Sequence, residues 1–369
     1  MFRFRNAVAI PGIPYIRAFG FMRNFDFIIV GFGIAGAAVA LELRKRNRSV
    51  VIFDTPHEHQ ASRVAAGLFN PITGKLMART WNARELFPYL HDFYRYAEQQ
   101  TGATFFHPMP ICIPFLSAEE QNNWMGKSAE EEFIDEVYTG SRYKDFISDS
   151  FGGVVLKSSG YVDTNKYLDQ TAKLFEIVRA PFTHADVHVT EDKITYGTYH
   201  AKAIIFCEGV RVNENPFFNW VPVRTLKGET MTIGLHKNLP LIFNRGVYLV
   251  PAGGNLWRVG ATYSHDKTPG ISEAGKKELR EKLVGLLRAP YTPRHHNWGI
   301  RPTTPDRRPI LGSHPEHKNV VIFNGMGTKG VSLAPWSSGI LSDYLTEGRQ
   351  IKNDINISRF YALYSKFRD

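Results

Sequence analysis

Residues 25–36 read FDFIIVGFGIAG, and this stretch decides the first part of the fold. Its first half, residues 25–30, is a short apolar run rich in β-forming side chains, which is typical of a buried parallel strand. A helix is predicted to follow over residues 34–47. Residues 49–54 (SVVIFD) form a second apolar strand that ends in an acidic side chain. A strand, a helix and a strand in this order predict a βαβ unit with a right-handed crossover.

The glycines of this unit have separate physical roles. Gly31 permits a tight turn, Gly33 lets the backbone approach a pyrophosphate, and Gly36 allows close packing of helix on strand. The helix N-terminus presents free N–H groups to phosphates, and Asp54 is placed to accept hydrogen bonds from ribose hydroxyls. This context predicts dinucleotide binding rather than a packing turn without a ligand. The residues assigned to this site are Gly31, Gly33, Ile34, Ala35, Gly36 and Asp54.

The type of strand changes farther along the chain. Residues 203–207 and 320–323 are again apolar runs of the parallel type, whereas residues 221–263 alternate and are divided by glycine turns, as in an antiparallel sheet. We therefore predict an α/β protein in which a Rossmann-type domain is interleaved with an α+β substrate domain carrying a mainly antiparallel sheet. Further helices are predicted over residues 83–100, 117–127, 163–176, 273–287 and 333–345.

The composition is that of an ordinary globular protein of 369 residues, with 43% hydrophobic and 22% charged side chains. Cys112 and Cys207 each lie in an apolar stretch, which predicts buried free thiols and a reducing compartment, the cytoplasm. The net charge of +10 permits nucleic acid, anionic membranes or acidic substrates as partners and selects none of them. The longest apolar run without a charge, residues 27–41, is too short for a membrane span.

Four separated blocks of the sequence resemble the family of FAD-dependent D-amino-acid oxidases and glycine oxidases. They are VGFGIAG (30–36), ASRVAAGLFNP (61–71), GIRPTTPDRRPILG (299–312) and FNGMGTKGVSLAPWSSGIL (323–341). The polar second block also suits a loop folded along an extended dinucleotide. The resemblance implies FAD as the cofactor. It implies non-covalent attachment, because Gly299 stands where the sarcosine-oxidase branch carries its flavin-linking cysteine.

The resemblance also implies which residues contact FAD. Around the glycine motif these are Ser62, Arg63, Ala66 and Gly67, with Val187 and Gly209 at the adenine and pyrophosphate side. Gly325, Gly327, Thr328, Lys329 and Gly330 would lie near the flavin pyrimidine. A glycine turn that opens a helix is suited to stabilise the negative charge that reduced flavin gains there. For the Lys329 ammonium, a solvated loop position is the alternative.

Arg301, Tyr248 and Lys329 are the residues to which we assign catalysis. Arg301 matches a family arginine that clamps the substrate carboxylate, and its planar fork can aim the Cα–H bond at flavin N5. A structural arginine that holds the 299–312 turn is the alternative. Tyr248 matches a position that contacts substrate, or it is a core aromatic side chain. No metal site is predicted, since residues 57–59 (HEH) fit a solvated turn better.

The predicted activity is oxidation of the C–N bond of an amino acid or N-substituted glycine, with O2 or another electron acceptor. One alternative is an FAD enzyme that removes the carboxymethyl group from a tRNA wobble uridine; tRNA is a possible partner but is not favoured. Others are a flavoprotein without turnover and an NAD-dependent dehydrogenase. The oligomeric state is left open.

The predicted domain boundaries follow from these segments. Residues 1–21 are basic and aromatic and lack a signal-peptide core, so we interpret them as an extension before a functional start at Met22. The FAD-binding domain is predicted to comprise residues 22–85, 160–215 and 300–369, and the substrate domain residues 86–159 and 216–299.

Overall fold

A computed structural model gives the structure of this chain. It describes residues 22–55, 59–73, 78–266 and 268–368. The predicted extension 1–21 and the residues His57 and Glu58 lie outside the described residues. No helix in the described ranges has both the length and the apolar character needed to cross a bilayer.

Eight α-helices are present in the described part of the chain, and the one that follows the glycine motif begins at the predicted residue. They are α1 (Ile34–Lys45), α2 (Ala61–Val64), α3 (Ala83–Thr101), α4 (Ala118–Ser128), α5 (Thr164–Ala172), α6 (Glu273–Leu286), α7 (Gly330–Glu347) and α8 (Tyr361–Arg368). Short 3₁₀ helices occupy His184–Asp186, Gly209–Glu214 and Ile357–Phe360.

The described strands number twenty-one, and many are only two to five residues long. The first ten are β1 (Arg23–Val30), β2 (Val50–Phe53), β3 (Leu68–Phe69), β4 (Ile72–Thr73), β5 (Ala78–Arg79), β6 (Phe106–Pro108), β7 (Ile111–Pro114), β8 (Ile134–Tyr138), β9 (Gly153–Leu156) and β10 (Gly160–Val162). The others are β11 (Glu176–Val178), β12 (Val187–Val189), β13 (Ile194–Tyr196), β14 (Tyr199–Phe206), β15 (Arg224–Leu235), β16 (Ile242–Arg245), β17 (Val247–Pro251), β18 (Leu256–Gly260), β19 (Tyr291–Thr303), β20 (Ile310–Ser313) and β21 (Val320–Asn324).

The first large sheet has a parallel core in the order β11-β2-β1-β14-β21. Strands β1 and β2 pair from Phe27↔Val50 to Val30↔Phe53, and α1 connects them, which confirms the predicted βαβ unit. Helix α1 is buried from Ala35 to Leu43 because small side chains let it pack closely against α7. Antiparallel β12, β13 and β20 extend this sheet at its margins.

The second large sheet runs in the order β19-β15-β18-β17-β16-β7-β9-β8. All its neighbours are antiparallel except β16 and β7, so the predicted mainly antiparallel sheet is present. Helix α6 covers one face through buried leucines such as Leu279 and Leu283, which pack with Met231 and Val259. Polar side chains on the opposite face form part of the candidate site.

One predicted helix ends earlier in the structure than the sequence indicates. The helix predicted over residues 163–176 ends at Ala172, because Glu176–Val178 leaves it to pair as a parallel strand with β2. Helix α3 falls mostly in the predicted substrate domain, yet its apolar face shares a core with α7. The domain boundaries themselves stay a prediction.

Candidate active site

The turn between β1 and α1 is built by close backbone contacts. A Cβ on Gly31, whose φ is +96°, would lie 2.6 Å from the Cys207 carbonyl oxygen, and a Cβ on Gly36 would overlap the Gly31 carbonyl oxygen. Gly33 precedes α1 and supplies no side-chain cap; instead the Ile34 N–H donates to Ser62 Oγ at 3.0 Å. The first turn of α1 therefore keeps donors and a positive dipole end for an anion.

Asp54 lies at the end of β2, only 7% exposed. Its Oδ1 accepts from the Phe32 N–H at 2.9 Å, and its Oδ2 accepts from Arg179 Nη1 at 2.8 Å. The carboxylate is thus fixed beside the glycine turn and retains lone pairs for further donors. Sequence reasoning missed Arg179; the available signal was a basic residue directly after the apolar end of β11.

A second helix N-terminus meets this turn. A Cβ on Gly330, the first residue of α7, would lie 3.0 Å from Ile34 Cγ2. Ahead of it, the Gly327 N–H donates to the Pro302 carbonyl oxygen at 2.8 Å, and a Cβ on Gly209 would lie 4.0 Å from Pro302 Cγ. The structure therefore gathers residues from three distant segments around the N-termini of α1 and α7.

Lys329 precedes α7 and does not extend into solvent. Its Nζ donates to Thr73 Oγ1 and Thr80 Oγ1, both at 3.0 Å. Burial, with the nearby positive charge of Arg307, lowers the pKa of this ammonium to about 8. Two hydroxyls anchor the side chain, and no acid within the described ranges pairs with it, so its charge remains available to the surroundings of the α7 N-terminus.

Other predicted cofactor residues already have protein partners. Arg63 pairs with Asp169 at 2.6 Å on α5. Gly67, with φ +71°, approaches the Val162 backbone so closely that a Cβ would overlap it. Val187 is partly buried at the margin of the first sheet. The remaining predicted positions are buried Ala66, Gly325 packed near Thr304, and exposed Thr328. The roles of all these residues toward FAD stay predictions.

Arg301 lies on β19 and is partly buried. Its guanidinium covers Gly228 of β15 so closely that a Cβ there would overlap it, and Nη1 donates to the Thr262 carbonyl oxygen at 3.3 Å. The guanidinium carbon stands 5.2 Å from the Tyr263 ring centroid. Within the part of the chain that the structure describes, no carboxylate forms an ion pair with Arg301. This is the chemistry of a site that receives an external anion.

Tyr248 lies on the same face of the second sheet. Tyr248 pairs with Gly260 of β18, and Gly260 pairs with Thr230 of β15. Thr230 is two residues from Gly228, the glycine that Arg301 covers, so both side chains project to one face. A Cβ on Gly260 would lie 2.5 Å from Tyr248 Oη, so the phenol rests on this glycine. Burial raises the pKa of Tyr248 to about 12, although the Arg301 and Arg258 guanidiniums oppose that rise. The hydroxyl is therefore a neutral hydrogen-bond donor at physiological pH.

This polar face abuts the segment that follows Asp54. A Cβ on Gly299 would lie 3.2 Å from the His59 carbonyl oxygen and 3.4 Å from Ala61 Cα. Ala66 packs in one small cluster with Tyr248. Segment 59–66 thus connects the α1 N-terminus, through Ser62, with the face that carries Arg301. The N-terminus of α1 and the sheet face that carries Arg301 therefore border one continuous region of the structure.

Fold and site together define a dinucleotide-binding protein of the oxidoreductase class. The family model described as FAD dependent oxidoreductase matches residues 26–344. The chain belongs to this FAD-dependent family, which confirms the resemblance, the Rossmann-type FAD-binding fold and FAD as the cofactor.

Individual relatives are similar over most of this chain. The bifunctional protein ThiO/ThiG of Trichormus variabilis is 25% identical over 93% of this chain and 55% of its own length, so the chain spans about half of that relative. The glycine oxidase of Geobacillus kaustophilus is 25% identical over 90% of this chain and 95% of its own length. The structure of a glycine oxidase from Bacillus cereus superposes with a TM-score of 0.76 at 19% identity, covering 89% of this chain and 99% of that one, and shows the shared fold.

Proposed function

We propose that this chain oxidises the C–N bond of an amino acid or N-substituted glycine, with Arg301 as the group that binds the substrate carboxylate. The observation that carries the proposal is the partly buried Arg301 guanidinium, which has no acidic partner among the described residues and lies on the sheet face that packs, through Gly299, on segment 59–66. A guanidinium fork binds both oxygens of a carboxylate and so fixes the orientation of the α-carbon.

The residues present fit FAD through the donor set of two helix N-termini and a fixed carboxylate. Backbone N–H groups at the start of α1 and the Ser62 hydroxyl would hold the pyrophosphate, and Asp54 would hold the ribose. The N-terminus of α7, with Lys329 beside it, would face the flavin pyrimidine. The bound cofactor supplies the acceptor for the hydrogen and electron pair of the substrate Cα–H bond.

The remaining chemistry requires positioning rather than a dedicated base. Arg301 anchors the carboxylate, and the neutral Tyr248 hydroxyl donates a hydrogen bond beside it. The α-hydrogen of the neutral amine would leave as hydride to the acceptor that bound FAD supplies, and water would hydrolyse the imine so formed. The electrons would pass finally to O2 or another acceptor. Non-covalent attachment of FAD fits Gly299, which packs on the backbone of His59 and Ala61.

The rival functions have weaker support. Full-length similarity to glycine oxidases favours a small amino acid over tRNA. A flavoprotein without turnover has weaker support because the relatives that are similar over most of the chain include glycine oxidases. Cys112 and Cys207 are both free and buried, which supports the predicted cytoplasmic location.

The test is anaerobic mixing of the purified holoprotein with glycine, sarcosine and a panel of D- and L-amino acids. We expect at least one of them to bleach the flavin absorbance. Replacing Arg301→Met should raise the KM at least 100-fold because a bidentate ion pair is lost, while Arg301→Lys keeps part of the affinity. The FAD content of both variants should match the wild type. A flavin that no compound reduces, or an Arg301→Met enzyme with unchanged KM, contradicts the proposal.

A further inference from the structure

A second arginine shares the face that carries Arg301 and Tyr248. Arg258 lies on β18, paired with Thr232 of β15 and Val250 of β17. Directly paired residues, and residues two apart in a strand, project to one face. Arg258, Gly260 and Tyr248 therefore share one face, and the Arg301 guanidinium covers that face at Gly228.

The guanidinium of Arg258 is incompletely satisfied. It donates one hydrogen bond to the Ala65 carbonyl oxygen, but its Nε is buried without a partner. No acidic side chain in the described ranges forms an ion pair with it. Arg258 as a whole is partly buried, and a partly desolvated cation without a nearby anion is unfavourable unless function requires it.

Arg258 contributes to the lining of an open cavity of about 610 Å³ at the β19 edge of the sheet, which also reaches helix α6 on the other face. Its lining includes Arg294, Lys276 and His295, and no acidic residue in the described part of the chain contributes to it. Lys276 is paired with exposed Glu273, whereas no described acid pairs with Arg294. A basic cavity of this kind attracts anionic ligands.

Tyr248 lies midway between the two arginines. The three side chains follow one another along β15. The Arg301 guanidinium covers Gly228, and the Tyr248 hydroxyl lies on Gly260, which pairs with Thr230. Arg258 pairs with Thr232. Gly228 and Thr232 are four residues apart, about 13 Å along an extended strand. The positive charges of both guanidiniums oppose the rise in the pKa of Tyr248, so both act on its hydroxyl. A ligand that spans the phenol would meet one guanidinium at each end.

We propose that the substrate carries a second carboxylate, bound by Arg258, while its α-carboxylate is bound by Arg301. This inference rests on the proposed function and narrows its substrate class to amino dicarboxylic acids and N-carboxyalkyl glycines. A substrate with one carboxylate would leave Arg258 and the basic cavity without a counter-ion. The competing explanation is that Arg258 has a structural role: its hydrogen bond to the Ala65 carbonyl oxygen holds the segment proposed to lie beside the cofactor.

The test compares substrates that share one glycine unit. Sarcosine carries a methyl group on nitrogen, and iminodiacetate carries a carboxymethyl group there; D- and L-glutamate extend the spacing. We expect the wild-type holoenzyme to prefer at least one diacid over sarcosine by about 10-fold or more in kcat/KM. Arg258→Met should lower that preference ~10- to 100-fold through KM, the range for one charge-assisted contact. Arg258→Lys should keep part of it.

Arg95→Met, on an exposed position of α3, is the control for the change in net charge. A second measurement needs no turnover: calorimetric titration with glutarate and butyrate should show that Arg258→Met weakens only the diacid. A wild type that prefers sarcosine, or a preference unchanged in Arg258→Met, overturns this inference while the proposed function stands. Loss of FAD with an unchanged preference overturns it in favour of the structural role. If no amine reduces the flavin, the proposed function itself fails.

Discussion

The two halves of the candidate site are built in different ways. At the α1 N-terminus, backbone groups of Gly31, Gly33 and Ile34 lie within four residues of sequence, and the contacts depend on the absence of side chains. On the second sheet, Arg301 and Tyr248 are 53 positions apart by number and meet only because β19, β15, β18 and β17 are neighbours. The first half is formed by the backbone of one short segment, whereas the second half depends on how distant strands pair.

This difference predicts how each half responds to substitution. A side chain added to the glycine turn collides with backbone that cannot move without distorting the fold. A side chain changed on the sheet face alters affinity for a ligand and leaves the core in place. The largest effects on stability are therefore expected at the glycines, and selective kinetic effects at the face of the second sheet.

Gly36→Ala gives the largest expected loss. Its Cβ would overlap the Gly31 carbonyl oxygen, which is fixed in the turn between β1 and α1. We expect the free energy of unfolding to fall by about 1–3 kcal/mol and most of the FAD to be lost during purification. Urea titration and the ratio of flavin to protein absorbance measure both effects.

Gly126→Ala in α4 is the matched control, because no atom lies within 4 Å of the added Cβ. This helical substitution should stabilise the protein by about 0.5–1 kcal/mol and leave FAD binding intact. If Gly36→Ala changed the free energy of unfolding and the FAD content no more than Gly126→Ala does, the turn would accept a side chain. The contrast between the two halves would then be wrong.

Tyr248→Phe gives a smaller and more selective effect. It removes one hydroxyl from the substrate face and keeps the ring on Gly260. We expect KM to rise ~3- to 10-fold, with FAD content and unfolding free energy close to wild type. Since the pKa of Tyr248 is raised to about 12, the ratio of the two KM values should stay constant from pH 7 to pH 10. An inflection in that ratio near pH 10 would contradict a buried phenol.

The same difference explains what the sequence could predict. The βαβ unit, its glycines and Asp54 are encoded in one contiguous stretch with a local physical signature, and the structure has them where predicted. Arg301 and Tyr248 came from a family resemblance, because no local pattern reports which strands are neighbours. Arg258 was missed for that reason: in LWRVG it is one polar residue of an alternating strand. Three strands and a distant loop decide that Arg258 has no acidic partner among the described residues.

Lys329→Met tests the junction of the two halves through the pH dependence of stability rather than through stability at one pH. Because burial lowers the pKa of Lys329 to about 8, against 10.5 for an exposed lysine, the unfolded chain binds this proton more tightly between these values. The contribution of Lys329 to unfolding free energy should therefore increase as pH rises from 8 to 10.5. Urea titrations of both proteins across this window should show wild type gaining stability relative to Lys329→Met. A constant difference would mean that the ammonium is as hydrated as an exposed lysine, and that the α7 N-terminus is open to water on the side of Thr73 and Thr80.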